Sequence, residues 1–132
     1  MVLVDTSTWI EVFRRPSRLA IESVVDFDEI VTCLPVVQEV LQGFTTEEAF
    51  RVGREAMLAL PMVESPLAQS AFTEAVDLYR RARRTGLTIR SGVDCLIAAC
   101  AIRHDLIVLH NDRDYPVLAK VSTLQQRQVP RR

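Results

Sequence analysis

Five acidic side chains in this 132-residue chain stand where chemistry could be done: Asp5 in VLVDTS, Glu39 in LPVVQEVLQG, Asp94 in RSGVDCLIAACAI, and Asp112 and Asp114 in VLHNDRD. Asp5 closes a short apolar run and is followed by the hydroxyls of Thr6 and Ser7. A turn or helix-cap aspartate would look the same, but Ser7 and Thr8 already offer caps, and Thr8 with Glu11 is spaced as a capping box. Asp112 and Asp114 are compatible with ordinary loop chemistry. Glu39 flanks an apolar stripe of Val36, Val37, Val40 and Leu41, where a solvated boundary glutamate would also be at home. Asp94 is harder to dismiss. It opens a segment that is apolar nearly all the way round a helix, which marks the helix as buried. An exposed helix N-terminus favours such a charge by only tenths of a kcal/mol, whereas burying an unpaired carboxylate costs several kcal/mol. Asp94 therefore requires a cation, an arginine partner or an opening to solvent. Gathered in one crevice, these carboxylates would repel one another, and a hard divalent ion with oxygen ligands, Mg²⁺ or Mn²⁺, relieves that conflict. His104 and His110 have no metal-ligand spacing and read as structural or surface residues.

The elements that must position these acids alternate. Val2 to Val4 read as a buried strand, followed by a helix from Ser7 to about Arg14. Pro16-Ser17 opens a second helix carrying Leu19, Ile21, Val24, Val25 and Phe27, and EIVTC (29–33) is a β-branched strand. Pro35 suits the first turn of a helix that ends at Gly43, and Thr45 starts another that reaches about Leu60. Met62 to Glu64 are extended; a long amphipathic helix runs from Pro66 to near Gly86, and a further helix from Ser91 to His104. The remaining elements are a strand at Leu106 to Leu109, a short helix at Asp114 to Ala119, a strand at Val121 to Leu124 and a polar tail from about 126 to 132. No two-residue hairpin signal separates the strands. The expectation is one α/β domain over 1–132, a three-layer sandwich whose mostly parallel sheet is flanked by helices on both faces. In such sheets ligands bind beyond the carboxyl ends of the strands, where Asp5, Asp112 and Asp114 fall.

Composition narrows the classes further. The longest apolar run, Cys95 to Ile102, is far too short for a membrane span, and Asp5 interrupts any export signal, so a cytoplasmic location is expected. Three cysteines without a C-x-x-C pair suggest neither a disulfide scaffold nor a zinc site; Cys33, Cys95 and Cys100 read as buried reduced thiols. The net charge is −1, and it becomes +3 once Asp5, Glu39, Asp94 and Asp112 are set aside, so the remaining surface is mildly basic. Fifteen of the 16 basic residues are arginine, whose planar fork suits phosphate. They cluster at 14–18 (Arg14, Arg15, Arg18), at 80–90 (Arg80, Arg81, Arg83, Arg84, Arg90) and at the C-terminus (Arg127, Arg131, Arg132), although a solvated helix face and a frayed tail would have the same composition.

VLVDTSTWIEVF, LPVVQEVLQG and RSGVDCLIAACAIRHDLIVLHNDRDY resemble, in order and spacing, the acidic motifs of PIN-domain ribonucleases, and most of all the VapC-type toxins of bacterial toxin–antitoxin pairs. The resemblance covers nearly the whole chain. It implies that Asp5, Glu39, Asp94 and Asp112 form the catalytic acidic set around Mg²⁺ or Mn²⁺, that Asp114 is an auxiliary metal-site acid, and that Thr6 or Ser7 helps hold the first carboxylate or a metal-bound water. Arg90 would touch RNA phosphate. The implied activity is metal-dependent hydrolysis of an RNA phosphodiester, with tRNA and rRNA both open as substrates. The implied partners are a cognate antitoxin and a second copy in a homodimer. An alternative is a PIN-like module that binds RNA or a partner without cutting. A phosphatase or phosphoacceptor reading fails: the first asparate is followed by Thr6-Ser7 rather than an x-Asp pair, and the only lysine, Lys120, precedes the last strand.

Overall fold

The computed structural model describes residues 1–14, 16 and 19–130. Five strands form one all-parallel sheet: β1 (Val2–Val4), β2 (Ile30–Cys33), β3 (Met62–Val63), β4 (Ile107–His110) and β5 (Gln125–Gln128), in the order β3-β2-β1-β4-β5. Six helices flank it: α1 (Thr6–Phe13), α2 (Leu34–Gln42), α3 (Glu47–Leu58), α4 (Gln69–Arg84), α5 (Gly92–Arg103) and α6 (Asp114–Ala119). Among the described residues no helix is long and apolar enough to cross a membrane.

The central strand β1 is wholly buried, as a strand covered on both faces must be. It pairs with β2 on one side (Val2 opposite Ile30) and with β4 on the other (Val4 opposite Leu109). The chain thus departs from β1 toward β2 and later returns to β1's opposite edge, so the crevice beyond the carboxyl ends of β1 and β4 is a topological switch point. α5 packs along α4 and touches α2 and β4. Its Cys95, Ile97, Ala98, Ala99, Cys100 and Ala101 are all buried, which is why its sequence shows no polar stripe. The three cysteines are free and buried, as expected.

Four local expectations are corrected. The N-cap of α1 is Asp5 itself, whose side chain accepts from the Ser7 amide, not Ser7 or Thr8. Thr8 instead donates through Oγ1 to the Leu109 carbonyl at 3.1 Å and helps tie α1 to β4. The helix expected from Pro16 is absent over residues 19–29, which hold only two 3₁₀ turns, Ile21–Ser23 and Phe27–Glu29. Leu19, Ile21 and Val25 still enter the core, but Phe27 is exposed. The last strand lies at Gln125–Gln128 rather than 121–124, so residues 126–128 of the polar tail expected from 126 are strand, and Val129 is buried. Arg15, Ser17, Arg18, Arg131 and Arg132, part of the expected helix start and arginine clusters, lie outside the described residues.

Candidate active site

Strand β1 delivers Asp5 to the crevice and the start of α1 fixes its orientation. The Asp5 amide donates to the Leu109 carbonyl (2.9 Å), which locks the end of β1 to β4. The carboxylate then caps α1: Oδ2 accepts from the Ser7 amide (2.9 Å) and the Ser7 hydroxyl (2.6 Å). That hydroxyl in turn accepts from the Asn111 amide at 2.8 Å, so Ser7 stitches the β1 and β4 exits together. Thr6, one residue earlier, serves a different acid. Its Oγ1 donates to Glu39 Oε1 at 2.9 Å and orients the one carboxylate supplied by α2.

Asp94 sits in the first turn of α5 and is 5% exposed. Asp112 and Asp114 follow β4, the latter as the first residue of α6. Oxygen atoms of Asp94, Asp112 and Asp114 all lie within 4.8 Å of one another. The two loop acids are braced from behind. Asp112 Oδ1 accepts from the Asp114 amide (2.9 Å), and the Asp112 amide donates to His110 Nδ1 (3.1 Å). Because Nδ1 accepts, the proton of the neutral ring resides on Nε2, where it is donated to Gln126 Oε1 at 2.6 Å. Asp114, 1% exposed, accepts from the backbone amides of Arg90 and Ser91 at 3.1–3.2 Å. It clamps the entry to α5 against α6.

The charge balance favours a cation. Among the described residues only Arg90 pairs with these carboxylates, its guanidinium 3.9 Å from Asp112 Oδ1. Burial pushes the Asp94 carboxyl up to about 9, with Asp114, Asp5 and Asp112 adding to the effect. Burial also raises Glu39, opposed by the Thr6 hydrogen bond and reinforced by the charges of Asp5 and Asp112. Asp94 Oδ2 is buried with no hydrogen-bond partner. An orphaned carboxylate oxygen beside two further carboxylates, with no nitrogen or sulfur donor in the group, fits a hard divalent ion.

The structure therefore draws the sequence-identified acids into one network with a graded geometry. Asp94, Asp112 and Asp114 are mutually closest, Asp5 joins them through an intermediary, and Glu39, held by Thr6, is reached only by the charges of Asp5 and Asp112. The intermediary at Asp5 is Tyr115, which the motif reading did not single out. Its hydroxyl donates to Asp5 Oδ1 at 2.5 Å and lies 3.4 Å from Asp94 Oδ1. Burial holds this phenol protonated, well above the usual tyrosine range. A single aromatic in a short helix carries no sequence signal that separates this role from core packing. His110, read from the sequence as structural or surface, is buried and structural, but its pairing with Gln126 was not legible, because it depends on the β4–β5 register, His110 opposite Gln128.

Comparison with known proteins agrees with this architecture. The PIN domain family matches residues 2–121. Ribonuclease VapC11 of Mycobacterium tuberculosis is 37% identical over 130 residues, covering 95% of this chain and 96% of that protein. Among solved structures, VapBC2 from Rickettsia felis bound to a DNA fragment from their promoter superposes with a TM-score of 0.77 at 15% identity, covering 98% of this chain and 100% of the other. VapBC-5 of Mycobacterium tuberculosis, a member of the VapBC family of toxin-antitoxin systems, gives 0.71 at 21% identity, with 96% and 97% covered.

Proposed function

This chain belongs to the PIN-domain family, and from that premise we propose that it is an endoribonuclease that hydrolyses RNA phosphodiester bonds as the toxin of a type II toxin–antitoxin pair. The observation that carries the reading is the acidic cluster of Asp94, Asp112 and Asp114, in which the buried Asp94 Oδ2 is left without a hydrogen-bond partner. Asp5 and Asp94 would be the main ligands of a divalent cation, with Glu39 and Asp112 completing the cage directly or through water and Asp114 bracing it. Mg²⁺ or Mn²⁺ is the ion that suits all-oxygen ligands. When bound, such an ion generates a nucleophile from water at neutral pH and neutralises charge on the phosphoryl group.

The chain's own residues supply the rest. Ser7 and Tyr115 hold the Asp5 carboxylate, and Thr6 aims Glu39. The exposed Arg90 side chain stands at the rim of the acids, where it can take an RNA phosphate. Arg80, Arg83 and Arg84, exposed near the end of α4, extend the basic surface; phosphate contacts of this kind position a strand without reading its bases. Single-stranded or loop RNA is the substrate class, since the deep, narrow major groove of A-form RNA is closed to side chains whereas unpaired bases are open to contact, with tRNA and rRNA as the two candidates. A cognate antitoxin would silence the enzyme by placing an arginine or lysine among the carboxylates. A homodimer would form through helical faces, for which the exposed Phe72, Val76 and Val93 of α4 and α5 are available. The setting is the bacterial cytoplasm.

The test is incubation of purified protein with structured RNAs in Mg²⁺, in Mn²⁺ and in EDTA. Cleavage is expected with either ion, and EDTA, Asp5→Asn and Asp94→Asn are each expected to abolish it while the far-UV spectrum stays native. Cutting that survives in both variants would reject the assignment, and no cutting of any RNA would favour a binding module.

A further inference from the structure

We propose that Tyr115 is a positioning residue of the acidic centre, its hydroxyl holding Asp5 in place beside Asp94 and setting the direction in which Asp5 can still accept a cation. This deepens the nuclease reading and rests on it. A carboxylate offers about four acceptor positions, two on each oxygen. Ser7 fills both on Asp5 Oδ2, through its amide and its hydroxyl. The Tyr115 hydroxyl fills one on Oδ1. One position remains, on Oδ1, and Tyr115 determines where it points. Asp5 is thereby left a single open lone pair.

The phenol has one proton to give, and the distances assign it: 2.5 Å to Asp5 Oδ1 against 3.4 Å to Asp94 Oδ1. The phenol oxygen nevertheless stands between the two carboxylates, which come from residues 5 and 94 on different elements. The ring that carries it cannot drift. Tyr115 is 0% exposed, is set in the first turns of α6, and lies against His110 with ring centroids 5.0 Å apart. His110 is the same ring that orients the Asp112 amide. One aromatic pair thus registers the acid at the end of β1 with the one in the loop after β4, next to Asp94. A phenylalanine would preserve the packing and delete only the hydroxyl's hold on Asp5.

The experiment is Mn²⁺ titration calorimetry on wild type, Tyr115→Phe and Asp94→Asn at pH 7, with thermal unfolding of each metal-free protein. Supports of metal ligands typically govern affinity by 10–100-fold, and Tyr115→Phe is expected to bind Mn²⁺ at least 10-fold more weakly while remaining folded. Equal affinity in Tyr115→Phe and wild type, whether or not the melting temperature falls, would overturn the proposal and leave the nuclease reading standing. A wild type that binds no Mn²⁺, or an Asp94→Asn variant that binds as well as wild type, would instead overturn the nuclease reading and this inference with it. Should Tyr115→Phe fail to fold, wild-type NMR with labelled tyrosine decides, since the chain has only Tyr79 and Tyr115. An exchange-protected Tyr115 hydroxyl proton that shifts on adding Mg²⁺ is expected; absence of that proton, or of the shift, would refute the proposal.

Discussion

Replacing Asp94 by asparagine should make the metal-free protein more stable at neutral pH while abolishing cleavage. The carboxyl titrates at 3.8 when unfolded and is pushed up to about 9 in the fold by burial. A carboxyl raised in this way is stabilised as the neutral acid. Its contribution is complete below pH 3.8 and is lost steadily as pH rises toward 9. Each unit in that window removes about 1.4 kcal/mol, so by pH 7 the loss is on the order of 4 kcal/mol. Asparagine carries no charge at any of these pH values. Its amide places donors where Asp94 Oδ2 has no partner, and an unsatisfied donor would cost ~1–3 kcal/mol. The expected net gain is about 2 kcal/mol at pH 7, larger at pH 8 and close to nothing at pH 5. Urea unfolding followed by circular dichroism in EDTA, at pH 5 through 8, measures it. Added Mg²⁺ should raise the wild-type midpoint and leave that of Asp94→Asn unchanged. An Asp94→Asn protein less stable than wild type at pH 8, with the same pH slope, would refute the reasoning.

Thr6→Val removes the 2.9 Å hydrogen bond that aims Glu39; RNA cleavage should fall roughly 10-fold or more, read as initial rate at saturating Mg²⁺, with about 1 kcal/mol lost from the urea midpoint. Gly53→Ala builds a Cβ against Cε2 and Cζ of Phe44, a ring already held edge-on by Phe13 at 5.3 Å. The ~1 kcal/mol gained in helix propensity is outweighed by roughly 1–3 kcal/mol of overpacking, so thermal unfolding should show a lower midpoint, and a higher one would contradict this packing account.

Elements buried on both faces were legible because they are apolar almost throughout. β1, α5 and β4 were found to within a residue or two, and α6 was located at Asp114–Ala119. The acids stood out against that background, since a charge in a buried segment demands an explanation. Two kinds of feature did not show. Residues 19–29 bury Leu19, Ile21 and Val25 through irregular backbone, and such spacing imitates a helix although only isolated 3₁₀ turns form. β5 has no buried face to mark it: its QQRQ is mostly exposed, and the strand is recruited by the β4 edge and by Gln126 reaching His110. Capping at α1 was misjudged for a third reason. Ser7 and Thr8 were eligible by type, but the strand ends at Val4, so Asp5 is the residue with extended backbone immediately before the first turn.

The two rims of the sheet bear on how this molecule meets others. One rim, β3, is two residues long; the opposite one, β5, is three glutamines and an arginine, with the Arg127 guanidinium turned back onto the Val24 carbonyl at 3.0 Å. A margin that is very short, or polar and tied inward, makes a poor template for a foreign strand. Growth of the ribbon by main-chain zippering is thus discouraged at either end, and association with another macromolecule falls to side chains on the helices and to the mouth above β1 and β4.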